Sequence, residues 1–520
     1  MRTIFFLMDS LNRMALEPYG GTRVNTPNFS RLADRAAVFD EHRVGSMPCM
    51  PARRDLHTGR LNFLHRSWGP LEPFDESVAE LLSRNGVYTH LVTDHFHYWE
   101  DGGATYHNRF DSCDLVRGQE GDRWRPWPKA RTAKADALYH PLQSSPSPRN
   151  KYYHNKANRA ERARMGLTTG EECMQLSLDF LREFRDEEDW FLQIESFDPH
   201  EPFDVPARYR EGLETGYRGP ILDWAPYDRV TQTPEEIAEL QANYYASIRY
   251  CDDMLGKLLA HFDAESLWGS VNLILTTDHG YLLGEHEWWA KNKMPIYEEI
   301  AHIPLFLATP ERPSMAGSRV DSLSQTMDLM PTILELHGIP VPSTSLGRSL
   351  IREPDKAEPP HDAVLYGMYG GSVNVCDGEW VYYRYPVSMS EAALYQYTLM
   401  PCHLNQMFSL AELKGAQLHR GFSFTRGVPV LQTLHTDKAP FHLHMGPGIQ
   451  QDCKTALFNV KRDPHQMHPV DDPTVEERML GLLLGLLLQN EAPVEVYDRL
   501  GIAAERDRYV DARGVGQAFA

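Results

Sequence analysis

The segment VNLILTTDHG, residues 271–280, carries the strongest signal for the architecture of this chain. It begins with a mainly apolar run, as in a buried parallel strand, followed directly by Asp278 and His279. Residues 4–10, IFFLMDS, repeat the pattern and place Asp9 after a second apolar run. In open α/β sheets the ligand crevice lies beyond the carboxyl ends of the strands, so we expect both acids at that edge. Because two converging carboxylates repel each other unless a cation or a proton separates them, the pattern predicts a bound divalent metal ion.

Predicted helices and strands alternate along the chain up to about residue 345. The spacing of apolar residues predicts helices from Thr26-Pro27 onward, over 75–85 and 169–185, and from Thr233 to about His261, with strands over 88–93 and 190–195. This alternation predicts the α/β class, with a large mixed, mainly parallel sheet sandwiched by helices. Residues 100–165 show little periodicity and are predicted to be a surface loop, of a length that often lies over an active site.

The pattern of predicted secondary structure changes after about residue 345. Residues 363–368, 372–383 and 455–460 are predicted to be antiparallel strands, and 474–489 a helix with a leucine-rich face. We therefore expect a catalytic domain over 1–345 and a smaller C-terminal α+β subdomain over 346–520. Residues 386–450 are predicted to form an extended, partly apolar arm, which would either bury itself on its own subunit or bridge a homodimer or higher homo-oligomer.

A third group of residues lies early in the chain, where Cys49, Pro51 and Arg53 form the pattern C-x-P-x-R. This pattern is read by the enzyme that oxidises a cysteine to Cα-formylglycine, whose hydrated aldehyde is a geminal diol able to attack sulfur or phosphorus. Taken singly, a free cysteine is most often a small buried residue, and a strand-end aspartate is about as often a helix N-cap. Together the groups favour one site, in which the metal is held by Asp9, Asp278, His279 and the aldehyde hydrate at residue 49.

The order of these motifs resembles that of the type I sulfatases of the alkaline phosphatase superfamily, a group that includes the related phosphonate monoester hydrolases. The resemblance covers most of the chain and rests on C-x-P-x-R at 49–53, the strand ending in Asp9, DPHEPF at 198–203, TDHG at 277–280, GEH at 284–286 with Lys291, and MDLMPTI at 327–333. It implies an alkaline-phosphatase-like fold. It also implies the following roles: Cys49 as formylglycine nucleophile and metal ligand, Asp9, Asp278 and His279 as further ligands, Arg53 as holder of the nucleophile, and His200 and Lys291 as anion binders that assist the leaving group.

Two departures from that family's pattern concern the metal and the substrate. Many sulfatases carry a second aspartate after the first metal ligand, where this chain has Ser10, and many carry a Lys-x-His pair where residues 93–97 read TDHFH. Calcium prefers an all-oxygen shell, whereas imidazole suits manganese, iron or zinc, so we expect Ca²⁺ by resemblance and Mn²⁺ as the second choice. Thr93, His95 and His97 are candidate substrate-binding residues. Alternation along an extended segment puts both histidines on one face, and we favour His97 as the contact.

The sequence thus predicts a sulfuric ester hydrolase of the arylsulfatase type, in which a metal-bound formylglycine derived from Cys49 attacks sulfate esters. The alternative is a phosphonate monoester hydrolase or phosphodiesterase of the same superfamily, which would use the same nucleophile. A more distant alternative is a non-catalytic member that binds an anion or a partner through the same fold. The natural substrate, beyond a small anionic ester, does not follow from the sequence.

Composition and charge limit the partners and the compartment. The formal net charge of −20 over 520 residues argues against nucleic acid and anionic membrane as partners, and no apolar run approaches the length of a membrane span. The apolar run at 4–8 is too short for a signal peptide, and seven scattered cysteines, an odd number, are unlike a disulfide framework. We therefore expect a cytoplasmic protein, whose partners are its small anionic ester substrate and the formylglycine-generating or equivalent maturation enzyme.

Overall fold

Strands make up the centre of the molecule in a computed structural model that describes residues 1–128, 132–144, 151–351, 360–388, 393–435 and 453–513. Numbered in chain order, the strands are β1 (Arg2–Met8), β2 (Ala37–Phe39), β3 (His42–Arg43), β4 (Ser46–Met47), β5 (Tyr88–Thr93), β6 (Ser112–Leu115), β7 (Trp190–Ser196), β8 (Val271–Thr277), β9 (Leu282–Leu283), β10 (Trp289–Ala290), β11 (Leu305–Ala308), β12 (Arg319–Val320), β13 (Ser324–Gln325), β14 (Val364–Met368), β15 (Val373–Cys376), β16 (Trp380–Arg384), β17 (Tyr395–Thr398), β18 (Gln417–His419), β19 (Val430–Leu434) and β20 (Ala456–Asn459).

Helices cover these strands and connect them. The α-helices within the described residues are Pro27–Ala33, Cys49–Thr58, Val78–Arg84, Ala104–His107, Thr132–Asp136, Lys151–Met165, Thr169–Glu183, Pro234–Ala264, Glu298–Ala301, Leu329–Leu336, Leu410–Leu413, Pro473–Gln489, Val494–Leu500 and Ala503–Arg513. In the same part of the chain, no helix combines the length and the hydropathy needed to cross a membrane.

An eight-stranded mixed sheet organises the larger part of the molecule, in the order β12-β2-β11-β8-β1-β7-β5-β6. Strands β8, β1, β7, β5 and β6 run parallel to one another, whereas β11 runs antiparallel to both β8 and β2. The prediction of a large, mainly parallel α/β sheet is therefore confirmed. Met8 of β1 lies opposite Thr277 of β8, so the residues that follow them, Asp9 and Asp278, leave the sheet side by side.

Both faces of this sheet are covered, which explains why its central strands are buried throughout and do not alternate with polar residues. Alternate residues of β1 enter two separate cores. Phe6 packs in a core shared with helix Pro234–Ala264, and Leu7 packs in a second core shared with helix Cys49–Thr58. Burying each such side chain contributes about 1.5–3 kcal/mol, so the helix that begins at Cys49 is held firmly against the sheet.

A smaller, mainly antiparallel sheet lies in the C-terminal part, in the order β20-β16-β15-β14-β4. Its strand β4 comes from the N-terminal part of the chain and pairs in parallel with β14. The leucine-rich helix Pro473–Gln489 packs on this sheet through Met479, Leu483 and Leu487. Because β4 ends at Met47, the C-terminal sheet directly supports the backbone that leads into Cys49.

The predicted loop over residues 100–165 is wrong. These residues contribute β6 to the edge of the large sheet, paired in parallel with β5, and they contain helix Lys151–Met165. The strand is short and partly exposed, and the helix is rich in charged and amide side chains. Neither element therefore shows the apolar periodicity from which strands and helices are predicted.

Two predictions for the C-terminal part also need correction. Residues 372–383 form the hairpin of β15 and β16 instead of one strand, and the chain turns at Gly378, whose φ of 89° suits a residue without a Cβ. The stretch 386–450 contains the antiparallel sheet β17-β19-β18, so the prediction of an extended arm is wrong for its described part. Residues 389–392 and 436–452 of that stretch lie outside the described residues.

Candidate active site

Two acidic residues leave the large sheet together, as the pairing of β1 with β8 dictates. Asp9 and Asp278 are both fully buried. Oδ1 of Asp278 accepts hydrogen bonds from the backbone N–H groups of Ser10, at 3.0 Å, and of His279, at 2.8 Å. The bond from Ser10 ties the Asp278 carboxylate to the end of the neighbouring strand β1, and the bond from His279 fixes its orientation locally, so the acids meet at the predicted edge of the sheet.

Cys49 reaches the two acids from the first turn of helix Cys49–Thr58. Its Sγ lies 3.2 Å from Nε2 of His279 and 3.8 Å from Oδ1 of Asp9. Burial, followed by the charge of Asp9, raises the pKa of the Cys49 thiol well above its ordinary value, so the unmodified thiol is protonated and a poor nucleophile. One potential ligand atom from each of four buried residues lies within 4.8 Å of the others: Asp9, Cys49, Asp278 and His279.

The donor atoms of this cluster fit a divalent metal ion. Nδ1 of His279 donates to the carbonyl oxygen of Gly280 at 3.0 Å, so Nε2 carries the lone pair that a metal ion requires. Burial, and then the charge of Lys291, lowers the pKa of His279 to about 3, which keeps the imidazole neutral. Oδ2 of Asp9 is buried and accepts no hydrogen bond of good geometry within the described residues, although the guanidinium of Arg53 lies 3.1 Å away, so this oxygen keeps a lone pair that a cation could use.

Arg53 lies one helical turn after Cys49 and points its guanidinium into the same cluster. Its NH1 group donates to Oδ2 of Asp278 at 2.7 Å and to the carbonyl oxygen of Cys49 at 3.1 Å. Its NH2 group lies 3.1 Å from Oδ2 of Asp9, and its Nε donates to Oε2 of Glu195 at 3.3 Å. Burial alone would lower the pKa of Arg53, but these carboxylates raise it well above its ordinary value. The arginine therefore stays charged and offsets part of the repulsion among the acids.

Lys291 enters the cluster through Ser10, one of the two departures from the family's pattern. Its Nζ donates to Oγ of Ser10 at 2.6 Å, and this Oγ donates to Oδ1 of Asp9 at 2.7 Å. Nζ itself lies 3.6 Å from the same Asp9 oxygen. Burial raises the pKa of Asp9, but the positive charges around it, led by that of Lys291, outweigh this effect and hold the pKa well below its ordinary value. Ser10 thus links the lysine to the acid without adding a further negative charge.

His200 lies in the loop after β7. Its Nδ1 donates to the carbonyl oxygen of Glu201 at 2.6 Å, which leaves Nε2 as the nitrogen able to exchange a proton with a ligand. Burial, and then the charge of Lys291, lowers the pKa of His200 well below its ordinary value. The ring is therefore neutral, and a negatively charged group bound beside it would raise its pKa.

The two candidate histidines after β5 differ in what they contact. Residues Phe96–Trp99 form a turn of 3-10 helix, so the extended alternation assumed for residues 95–97 is wrong. Nε2 of His95 lies 3.4 Å from Oδ2 of Asp9, and the His95 ring is fully buried. His97 instead pairs through Nδ1 with Glu100 at 2.5 Å. The structure therefore brings His95 to the acids and places His97 against a neighbouring glutamate.

Glu195, in β7 one residue before the strand ends, is a member of the cluster that we did not predict from the sequence. Its Oε2 accepts from Nε of Arg53 and, at 3.5 Å, from Oγ1 of Thr93. Its Oε1 accepts from the hydroxyl of Tyr98 at 2.8 Å. Because β7 pairs with β1 directly, the strand-end argument that identified Asp9 applies to Glu195 as well. That signal was present in the sequence and was sufficient to find it.

Comparisons with known proteins agree with this architecture. Residues 2–339 match the family model described as Sulfatase, and residues 284–409 match a second model described as N-sulphoglucosamine sulphohydrolase, C-terminal. The chain is 23% identical over 387 residues to an arylsulfatase of Clostridium perfringens, covering 67% of this chain and 77% of that protein. It is 24% identical over 416 residues to a choline-sulfatase of Rhizobium meliloti, covering 73% and 77% of the two chains.

A solved structure supports the same fold at low sequence identity. The phosphonate monoester hydrolase of Agrobacterium radiobacter superposes with a TM-score of 0.59 at 18% identity, covering 94% of this chain and 96% of that one. Similarity at this level of identity shows a shared fold alone.

Proposed function

The chain belongs to the sulfatase family and is a hydrolase of sulfate esters, and we propose that it acts through a Cα-formylglycine made from Cys49 and held by one divalent metal ion. The observation that carries this proposal is the position of Sγ of Cys49, 3.2 Å from Nε2 of His279 and 3.8 Å from Oδ1 of Asp9. In the modified protein the oxygen atoms of the aldehyde hydrate take the place of this sulfur. The ligands that we assign to the metal are Asp9, Asp278, His279 and residue 49.

The divalent metal ion and the hydrated aldehyde at residue 49 supply distinct chemistry. A bound divalent ion lowers the pKa of an oxygen nucleophile and neutralises negative charge that builds up at the sulfate. The hydrated aldehyde supplies a second hydroxyl on the same carbon, so that residue 49 can release sulfate by re-forming its carbonyl group. A plain thiol or a serine lacks that second hydroxyl, which is why the C-x-P-x-R context of Cys49 matters.

The chain's own residues orient and protonate the reacting groups. Arg53, held by three carboxylates, fixes the helix turn that presents residue 49 to the metal ligands. Lys291 keeps its charge and binds a sulfate oxygen. When the sulfate arrives, its negative charge raises the pKa of His200, and Nε2 of this ring then delivers a proton to the departing alcohol.

We propose Ca²⁺ as the metal and Mn²⁺ as the second choice. Asp9, Asp278 and the hydrate at residue 49 provide oxygen donors, which suit calcium, whereas the imidazole of His279 suits manganese. Either ion accepts this mixture of ligands, so metal analysis of the purified protein is needed to choose between them.

Hydrolysis of phosphonate monoesters or phosphodiesters is a second candidate activity. Two observations favour keeping it: His279 gives the site one nitrogen ligand, and Ser10 stands where many sulfatases carry a further aspartate. A phosphonate monoester or a phosphodiester carries the same single negative charge as a sulfate ester, so the same cationic residues would bind either kind of substrate.

Mass spectrometry and a paired assay test the proposal. The protein is expressed together with a formylglycine-generating enzyme. The mass of the peptide containing Cys49 then shows whether the thiol has been converted to the aldehyde. The converted protein is then assayed on 4-nitrophenyl sulfate and on 4-nitrophenyl phenylphosphonate. We expect aldehyde at residue 49 and faster turnover of the sulfate, both abolished in Cys49→Ala and retained in Cys113→Ala. A faster turnover of the phosphonate would transfer the assignment to the second candidate.

The remaining proposals concern the compartment and the partners. All seven cysteines are free thiols, as in a reducing compartment, so we propose a cytoplasmic protein. Its partners are then the small anionic ester and the maturation enzyme that oxidises Cys49. Assembly into a homodimer or a higher homo-oligomer is checked by light scattering of the purified protein.

A further inference from the structure

A second cluster of aromatic and charged residues adjoins His200 and has no role in the chemistry above. Lys151 lies at its centre. Its members are three rings and two carboxylates, together called the cage: Tyr152, Trp224, Tyr227, Glu120 and Glu201.

The cage already holds an ammonium group, that of the chain's own Lys151. Nζ of Lys151 lies 4.6 Å from the ring centre of Trp224, 5.8 Å from that of Tyr227 and 5.9 Å from that of Tyr152. The same Nζ donates to Oε1 of Glu120 at 2.9 Å. A cation within about 6 Å of a ring centre is attracted by the electrons of that ring. The arrangement of rings and carboxylate is therefore one that accommodates an ammonium ion.

Glu201 connects the cage to the catalytic residues. Its side chain is fully buried, and neither carboxylate oxygen accepts a hydrogen bond of good geometry from the described residues. Oε2 of Glu201 lies 3.4 Å from Nδ1 of His200. The hydroxyl groups of Tyr227 and Tyr281 approach this carboxylate, and the ammonium of a ligand would offer it a donor that carries a full positive charge. Such a ligand would lie on the side of His200, where the alcohol part of the ester departs.

The two carboxylates of the cage differ in their state of charge. Glu120 accepts a hydrogen bond from the ammonium of Lys151, whereas burial raises the pKa of Glu201 to about 7. A cation bound beside Glu201 would lower that pKa and stabilise the charged carboxylate. Glu120 is 5% exposed and has a φ of 38°, a left-handed conformation that a glutamate adopts only where its surroundings hold it. A second anionic group on the substrate would be repelled by these carboxylates, whereas a cationic group would be attracted by them.

Lys151 can leave the cage without disturbing the backbone. Its side chain is 45% exposed, so the ammonium can move into solvent. The backbone at the start of helix Lys151–Met165 is anchored by close packing on Gly121, where an added Cβ would lie 2.6 Å from Cβ of Lys151. Movement of the side chain alone would vacate a preformed ammonium site beside His200.

We propose that the cage is a subsite for the leaving group, in which an ammonium on the alcohol or phenol part of the sulfate ester replaces the ammonium of Lys151. The natural substrates are then sulfate esters of amino alcohols or aminophenols. This inference rests on the proposed sulfatase function and adds the class of ester that the site prefers.

Matched esters that differ only in charge test the inference. The first series is the 4-(aminomethyl)-, 4-(2-aminoethyl)- and 4-(3-aminopropyl)phenyl sulfates, which vary the reach of the ammonium. The second series is their N-acetyl derivatives, which have similar phenol leaving groups but lack the ammonium charge. We expect kcat/KM to favour the amine over its N-acetyl partner by more than about fivefold at one chain length, mainly through KM.

Variants of the cage make the test specific. Lys151→Met removes the internal competitor, so the preference for the amine should rise about tenfold further. Glu120→Gln and Glu201→Gln should bring the preference close to one, whatever they do to the overall rate. Glu211→Gln, an exposed glutamate outside the cage, is the matched control and should leave the preference unchanged.

The outcomes separate the subsite from the enzyme's main activity. If 4-nitrophenyl sulfate is hydrolysed but amine and N-acetyl esters react equally in both the wild type and Lys151→Met, the subsite is disproved and the sulfatase function stands. If no sulfate ester is hydrolysed, the proposed sulfatase function is wrong. Calorimetric binding of tyramine and N-acetyltyramine then tests the cage independently of catalysis. Binding of tyramine by Lys151→Met that is lost on adding Glu120→Gln supports the cage, and equal or no binding of the two compounds overturns it.

Discussion

Oε2 of Glu195 lies 3.3 Å from Nε of Arg53, and the hydroxyl of Tyr98 donates to the other oxygen of the same carboxylate at 2.8 Å. Glu195 therefore holds the Nε side of the Arg53 guanidinium, whose NH2 and NH1 groups face Asp9 and Asp278. Arg53 is thus oriented by a residue that contributes no ligand atom to the metal cluster. Glu195 is therefore a positioning residue, and its removal should affect turnover more than substrate binding.

Glu195→Gln keeps the shape of the side chain and removes its charge. We expect kcat/KM for 4-nitrophenyl sulfate to fall about 10- to 100-fold, as is usual when the partner of a functional residue is replaced, with most of the loss in kcat. Steady-state kinetics on the formylglycine form measure this, and thermal unfolding verifies that the variant is folded. Glu188→Gln, an exposed glutamate before β7, is the control. An unchanged kcat in folded Glu195→Gln would contradict the positioning role.

His279→Asn tests the assignment of the metal ligands. An amide oxygen replaces an imidazole nitrogen, so the site becomes all-oxygen and should move toward calcium. After removal of bound metal with a chelator, we expect Ca²⁺ to restore the variant better than Mn²⁺, with the ratio shifted about tenfold from that of the wild type. Metal content measured by mass spectrometry gives a second readout that does not depend on activity. A half-exposed histidine on the long helix, in His261→Asn, serves as control, and an unchanged ratio in His279→Asn would remove this residue from the ligand set.

The two histidines after β5 should differ in their effect on turnover. His95 lies 3.4 Å from Asp9 through Nε2, whereas His97 is engaged by Glu100. We expect His95→Gln to lower kcat/KM by at least about tenfold and His97→Gln to change it by less than about threefold. The same kinetic assay compares the two variants directly. The opposite ranking would restore His97, the residue favoured from the sequence, as the contact with substrate.

The pH dependence of stability should follow buried histidines remote from the metal cluster. Burial, and then the charge of Arg109, lowers the pKa of His57 to about 3, against an ordinary value of 6.5. The unfolded chain therefore binds a proton between these values and the folded protein does not, so stability is full above pH 6.5 and declines as the pH falls toward 3. At pH 5 the contribution of His57 to this loss is roughly 2 kcal/mol.

His57→Asn makes that contribution measurable. The amide can still bond to Ser77, the partner of Nδ1 of His57, but it does not titrate. Urea unfolding at pH 7, 6 and 5 should show that the variant loses roughly 2 kcal/mol less between pH 7 and 5 than the wild type does. Parallel loss in both proteins would show that His57 titrates normally in the folded state.

The parallel core of the fold could be predicted because its signals are local. The apolar runs that became β1 and β8, and the acids directly after them, are visible in adjacent residues, and β5 begins and ends where the prediction placed it. Helix Lys151–Met165 could not be found in this way. Its buried face includes asparagine, lysine and arginine, whose burial depends on partners that are distant in sequence.

Periodicity and nearest neighbours along the chain are enough to place the chemistry-bearing residues at strand ends and helix starts. Which of these residues meet follows from tertiary packing. The in-register pairing of β1 with β8 brings Asp9 to Asp278, and the helix packed beneath them delivers Cys49 and Arg53. A turn of 3-10 helix begins directly after His95 and contains His97, so the two rings reach different partners. These relationships depend on distances across elements far apart in sequence, and such distances are set by packing and not by local propensity.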